Sequence, residues 1–279
     1  ALGFGMHEGR IYPAIGVMIW ETLIRPILEY GVEVWDPGMW KEAERLQLEM
    51  GKRILGCPKT MPDEVVRGEL GWWKLKDRRD MLKIGYWQKV VNMKESRLVK
   101  QIYNIRRADM MFDEETAKRR NSWCYQIKEI LASIGMEKLW DKPKNQEKEF
   151  WKSFSKSKLE ERANEDFRKG VLSKSKLRKY AAIKSAIGFE DYLDMHKQEK
   201  GRAIMTQFRG GTNKLQVELG RRRGQPREER ICQVCYNGVE DEKHVITKCS
   251  AYEHERRRLI DSMKRNERGG LEKMWGERE

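Results

Sequence analysis

Apolar side chains return every three or four positions along almost the whole chain, which is the period of an amphipathic helix and not of a strand. Over residues 13–35, Ile15, Met18, Ile19, Leu23, Ile27, Leu28 and Val32 keep that spacing. Pro26, which lacks a backbone N–H, is the expected kink. A second helix is predicted over 39–55, with Ala43, Leu46, Met50 and Ile54 on its inner face and Gly56 closing it. Thr60-Met61-Pro62-Asp63 reads as a helix start with Thr60 as hydroxyl cap, the helix stopping at Gly68 or Gly71. A long helix is predicted from Asp77 to about Met93, with Met81, Ile84, Trp87 (or Leu82), Val90 and Val91 as its apolar face. Trp72 and Trp73, just before it, read as core residues in preference to base-stacking platforms. Ser96 is placed to cap a helix reaching Arg106, and Ser122 one that ends at Ile134 with Gly135 in the C′ position. Residues 141–158 are polar and Lys-rich, which suits a linker or a loosely packed helix and marks the expected domain boundary. Further helices are predicted at 158–169, 175–187 and 196–209. The fold class is therefore mostly α, with useful strand alternation confined to the neighbourhood of three clustered cysteines.

Charge alters this picture by its placement. The 279 residues carry 58 Lys plus Arg against 44 Asp plus Glu, a net +14. Residues 1–50 are acidic, at −4, and residues 51–100 are basic, at +7; 151–200 and 201–230 carry +5 each, and 231–279 is neutral. A chain with two basic blocks and a pI of about 9.5 is expected to meet a polyanion. Candidate phosphate contacts are Lys74, Lys76, Arg78 and Arg79 in the first block. Those in the second are Arg209, Arg221, Arg222, Arg223 and Arg227, in a Gly-punctuated arm running from Phe208-Arg-Gly-Gly to Pro226-Arg227. No run approaches the ~18 consecutive apolar residues of a membrane span, so an integral membrane protein is not expected.

Cysteine usage points to metal rather than disulfides. Five cysteines, an odd number in a chain of this length, fit a reducing nuclear or cytoplasmic compartment. No secretory signal follows Ala1, and that opening residue reads as the start of a piece of something longer. Cys57 and Cys124 sit among apolar neighbours and are expected to be buried and inert. Cys232, Cys235, His244 and Cys249 form C-x2-C-x8-H-x4-C. Two thiolates on one tight turn, completed by an imidazole and a third thiolate, make a tetrahedral set selective for Zn²⁺. With all four places filled by protein, the site is structural and not catalytic. His254 is a weaker substitute ligand.

These residues together carry a resemblance. Lys176-Leu-Arg-Lys-Tyr180, Tyr192-Leu193, Phe208-Arg-Gly-Gly, Glu218-Leu-Gly-Arg221, Arg230-Ile-Cys232-Gln-Val-Cys235, Glu240-Asp-Glu-Lys-His244 and Lys248-Cys249-Ser-Ala-Tyr252 follow one another as in the C-terminal region of animal non-LTR (LINE-type) retrotransposon endonuclease/reverse transcriptases. Leu23-Ile-Arg-Pro-Ile-Leu-Glu-Tyr-Gly31, Val34-Trp35, Arg53-Ile-Leu-Gly56 and Gly68-Glu-Leu-Gly-Trp-Trp73 resemble the helical segment after the palm of the same proteins. The resemblance implies a thumb-like helical region at 1–140, a polar linker at 141–158 and a basic helical segment with an Arg-rich arm at 159–230. A CCHC zinc knuckle at 231–255 and a charged tail at 256–279 would complete it. It further implies RNA or DNA as partner, and polymerase and endonuclease domains upstream in the same polyprotein.

The catalytic residues of that family are missing from this stretch. Polymerase chemistry needs an aromatic-x-Asp-Asp motif and a further Asp to hold two Mg²⁺ ions. Asp113-Glu114-Glu115, Glu190-Asp191 and Glu240-Asp241-Glu242 lack the strand–turn–strand context for it, and Asp63-Glu64 lacks the Glu-x-Lys strand of a nuclease. The expected role is non-catalytic nucleic-acid binding. The competing expectation is a zinc-stabilised helical module that docks proteins through the helices at 77–106.

Overall fold

A computed structural model describes residues 12–35, 40–141, 148–195 and 199–265. In chain order the helices are α1 Pro13–Ile19, α2 Arg25–Glu29, α3 Val32–Trp35, α4 Lys41–Ile54, α5 Asp63–Leu70 and α6 Leu75–Val91. Next come α7 Leu98–Phe112, α8 Glu114–Arg119, α9 Trp123–Ser133, α10 Lys138–Asp141 and α11 Lys148–Leu172. The last are α12 Arg178–Ile183, α13 Tyr192–Met195, α14 Glu199–Arg209, α15 Gln216–Arg222 and α16 Glu253–Arg265. No strand forms among the described residues. The extended pairing there consists of two isolated antiparallel bridges, Leu70 with Phe189 and Ile231 with Val239. The mostly helical architecture is thus the one expected.

Ahead of Pro26, Trp20–Ile24 forms a π-turn in which the Arg25 N–H bonds the Trp20 carbonyl. The extra residue of a π-turn rotates everything downstream of it. Much of the face expected to be buried is turned out both before and after this turn, with Ile15, Met18 and Leu23 exposed and Ile27 77% exposed, while Trp20 and Val32 are buried. In α4 the buried positions are Ala43, Gln47, Met50 and Ile54; Gln47 takes the place predicted for Leu46 and donates to the Trp73 carbonyl at 3.1 Å. The predicted start of that helix at 39, like the one at 196, lies outside the described residues. Helix α5 is preceded by Pro62 without a side-chain cap, so Thr60 does not cap it. It runs through Gly68, a position that requires glycine because any side chain there would collide with the Tyr180 hydroxyl, 2.3 Å from an ideal Cβ. It stops at Gly71, whose φ of +70° suits a residue without Cβ. Helix α6 has the predicted length but lies two residues earlier, and α7 runs six residues past the predicted Arg106; α9 begins on the Ser122 cap, whose Oγ accepts from Tyr125 N at 3.3 Å, with Gly135 at φ +69° beyond its end.

The chain divides into two compact units, and not within 141–158. The first comprises residues 1–17, 48–72 and 167–279; the second comprises 18–47 and 73–166. The expected linker is helical from Lys148 onward, as part of the 25-residue α11.

The second unit packs Ile84, Trp87, Val90 and Val91 of α6 against Tyr103 and Met110 of α7, Ile127 and Leu131 of α9, Trp140 and Leu159. Trp87 Nε1 donates to Tyr103 Oη at 3.1 Å, and the Trp87 and Trp140 rings stack at 6.4 Å. Cys124 is buried in this core, which pushes its thiol up to about 11. Helix α6 also buries charge: Arg162 Nη2 reaches Asp77 Oδ1 at 3.0 Å and Asp80 Oδ2 at 2.6 Å. Burial raises the Asp77 carboxyl even though Arg162 opposes the shift.

The first unit buries a second such network. Glu69 of α5 meets Arg209 of α14 at 3.1 Å, and Arg209 also reaches Glu190 at 2.8 Å. The Arg209 guanidinium lies 5.9 Å from the Tyr180 ring centre and 5.5 Å from that of Tyr192. Trp72 is buried in this unit as expected; Cys57 is half-buried and its thiol is pushed up to about 12 by burial.

Replacing Arg162 by Met leaves Asp77 buried without its paired cation and takes from Asp80 one of its two cations, Lys76 being the other, and is expected to cost about 3–5 kcal/mol at neutral pH. The folded pKa of Asp77 then rises further above its unfolded value. The charged form is disfavoured in the fold, so the variant recovers stability as pH falls. Urea unfolding of both proteins at neutral and mildly acidic pH checks this. A stability gap that stays constant with pH would overturn the ion-pair account.

Candidate metal centre

The segment from Arg230 to Cys249 holds few apolar residues and is shaped by backbone turns. Cys232 N donates to Gly238 O at 3.0 Å and Glu240 N to Arg230 O at 2.8 Å, so a tight hairpin brackets the first two cysteines. Its tip needs two positive φ values, taken by Tyr236 (54°) and Gly238 (85°). Within it, Tyr236 N bonds Cys232 O at 3.0 Å and Asn237 N points at Cys235 Sγ at 3.4 Å. The hairpin leads into a π-turn, His244–Lys248, and Asp241 Oδ1 accepts from the His244 backbone N–H at 2.8 Å. Cys249 N closes that turn onto His244 O at 2.7 Å.

These turns bring the side chains of Cys232, Cys235, His244 and Cys249 together, with all ligand atoms within 4.8 Å of one another. Cys232 Sγ lies 4.0 Å from Cys249 Sγ, and Cys235 Sγ lies 3.2 Å from His244 Nε2. A tetrahedral ion with metal–sulfur bonds of ~2.3 Å sets its sulfurs about 3.8 Å apart, so the spacing is that of a metal-ligating set. Cys232, His244 and Cys249 are buried. Burial pushes the Cys232 thiol up, whereas the Asn237 backbone N–H, acting on sulfur, lowers that of Cys235. His254 is exposed on α16 and stands outside the cluster.

The centre is fastened to its unit by residues that spacing alone did not single out. Glu240 accepts from Gln216 N at 2.8 Å through its carboxylate and from Val217 N at 3.0 Å through its carbonyl. Glu242 accepts from Asn213 at 2.8 Å and pairs with Lys179. Asp241 pairs with Arg227 at 2.6 Å. Burial works against the Asp241 charge, yet the His244 N–H, Lys179 and Arg227 together hold its carboxyl below the usual range. Arg256 of α16 donates to Ile246 O at 2.8 Å and also to Cys249 O, holding carbonyls at the end of the π-turn. The Glu240-Asp241-Glu242 run, without a catalytic context in the sequence, is the attachment of the metal hairpin.

The candidate nucleic-acid contacts divide sharply. Lys74 stands 4.0 Å from Asp166, Lys76 2.8 Å from Asp80, and Arg78 reaches Glu29 at 3.0 Å. Arg79 is buried at 2% exposure and Arg78 is half-buried, whereas Lys74 and Lys76 are exposed with their charges facing carboxylates. Arg209 belongs to the buried Glu69–Glu190 network. Arg221 bonds Glu218 at 2.6 Å, and Arg227 bonds Asp241. Arg222 and Arg223, at the end of α15, are exposed and make no ion pair that is seen among the described residues.

No known protein family, curated protein or solved structure matches this chain.

The purified chain is expected to carry one transition-metal ion, and Cys235→Ser to lose most of it, as measured by elemental mass spectrometry. Acidification releases the ion, because the ligands bind as thiolates and neutral imidazole. Equal metal in the wild-type chain and the variant would remove Cys235 from the site.

Proposed function

We propose that the chain is a non-catalytic, zinc-stabilised nucleic-acid-binding segment of a retrotransposon RNA-directed DNA polymerase, gripping element RNA or target DNA. The observation that carries this reading is the convergence of three cysteines and one histidine on a hairpin attached to α15, whose last turn presents Arg221, Arg222 and Arg223. Three thiolates and an imidazole favour Zn²⁺ among common divalent ions. Zinc bound there would close a segment too poor in apolar residues to fold on hydrocarbon alone. The motif succession of the sequence supplies the parentage, and the excess of +14 supplies the attraction to phosphates.

A second reading, a zinc-stabilised protein-docking module, is favoured by the second unit. Helix α7 exposes Leu98, Ile102, Ile105 and Phe112, the last 95% exposed, beside a mostly apolar cavity of about 680 Å³.

Fluorescence anisotropy with labelled RNA and DNA separates the two. If about three phosphates are neutralised, affinity falls about 20- to 40-fold between ~50 and ~200 mM salt. Binding that ignores salt, or no binding together with capture of a defined protein partner, would overturn the nucleic-acid reading. The coding sequence upstream of Ala1 tests parentage: an aromatic-x-Asp-Asp palm is expected, and a frame without one would overturn it.

A further inference from the structure

The basic end of α15 does not stand alone. Gly211, at φ +60°, brings a distant part of the chain against it: an ideal Cβ there lies 3.2 Å from Lys176 Cγ and 3.5 Å from Glu218 Oε1. Lys176 sits on the 3-10 turn Ser175–Leu177 after α11, a segment without any role in the metal hairpin. Buried Glu218 meanwhile holds Arg221 Nη2 at 2.6 Å. The stem of Lys176 therefore runs beside Glu218, while its ammonium donates to the Thr60 carbonyl at 3.4 Å. Arg222 and Arg223 extend from the same helix end, and Lys174, paired with Glu64, is two residues from Lys176. Glu218 is paired with Arg221 and Glu64 with Lys174, and Lys176, Arg222 and Arg223 make no ion pair among the described residues. Burial pushes Lys176 below the usual lysine range; Glu218 works against this, while Arg221, Arg222 and Lys174 add to it, as crowded like charges do.

This arrangement suits a repeated anion better than a single one. The cations stand at the C-terminal end of α15, where the helix dipole repels a small anion from the backbone. Contact must then be made by long side chains spread over two elements. Arg guanidinium groups reach phosphate oxygens in pairs, and Lys supplies a compact charge.

We propose that Lys176, Arg222 and Arg223, which face no carboxylate within ion-pair distance among the described residues, form the phosphodiester-binding surface of the chain, taking successive phosphates of an RNA or DNA strand, with Arg221 and Lys174 held at its edge by Glu218 and Glu64. This rests on the nucleic-acid reading above and adds to it: the surface joins the end of α11 to α15, and the α6 row from Lys74 to Arg79 is not part of it.

The test uses the full, metal-loaded chain and a fluorescein-labelled oligonucleotide, with the slope of log affinity against log salt as readout. Arg222→Ala with Arg223→Ala is expected to lower that slope by about 2, and Lys176→Ala by about 1, since each phosphate contact contributes roughly 1. Arg106→Ala with Arg120→Ala removes the same charge from exposed positions of the second unit and is expected to leave the slope unchanged. Lys176 is half-buried; if Lys176→Ala fails to fold, the exposed Arg222/Arg223 pair decides. A wild-type chain that binds, with all variants keeping its slope or with the Arg106/Arg120 control falling equally, overturns the surface and leaves the nucleic-acid reading standing. A wild-type chain without salt-dependent binding overturns both. Polyglutamate that competes as well as unlabelled RNA would overturn the phosphodiester assignment.

Discussion

A charge taken out of water must meet its opposite, and that requirement organises both units of this protein. With 37% of its residues charged and 39% hydrophobic, the chain cannot keep every ion at its surface. It buries some and pairs them: Arg162 between Asp77 and Asp80 in the second unit, Arg209 between Glu69 and Glu190 in the first. Such pairs add little net stability over apolar residues of the same size, but leaving one partner alone costs several kcal/mol. They therefore act as positional constraints. Helix α6 must hold a face toward Arg162, and α5 must hold Glu69 toward α14.

The metal hairpin obeys the same rule with a different counter-charge. Three cysteines and a histidine with their ligand atoms within 4.8 Å of one another are a cluster of donors that a cation would complete. Around them the acidic run from Glu240 to Glu242 is buried or half-buried and is answered by Lys179, Arg227, Asn213 and two backbone N–H groups of α15. The hairpin is thus attached to the helix that carries the arginines. A metal that orders the hairpin also fixes where Glu240 meets Gln216 and Val217 at the start of α15.

What could be read from the sequence is what is decided locally. The Ser122 cap, Gly135 beyond the end of α9, the inner face of α6 at Ile84, Trp87, Val90 and Val91, and the spacing of the four ligands all depend on residues a few positions apart. Misreadings arose where a distant partner decides. Arg79 and Arg209 look like surface cations, but the fold buries the first and half-buries the second against Glu69 and Glu190. The helix predicted to reach 187 stops at Ile183, and Lys184 turns its ammonium to Gly188 O and Glu190. Phe189 then bridges to Leu70 across more than a hundred residues. The apolar face predicted over 13–35 is largely exposed on both sides of the π-turn, with Trp20 and Val32 buried in its stead. Helix α11 runs through a Lys- and Ser-rich stretch whose weak apolar stripe resembles a linker.

Net charge is consequently a poor guide to where a polyanion would sit, and unpaired charge a better one. Residues 51–100 carry the largest local excess, +7, yet Lys74, Lys76 and Arg78 stand against carboxylates and Arg79 is inside. An ion already facing its counter-charge contributes a dipole to the outside, and its field falls off faster than that of a lone charge. At the end of α15, Glu218 answers Arg221, and Arg222 and Arg223 contribute whole charges. Structural pairing within the fold selects which of the 58 basic residues remain to act on another molecule.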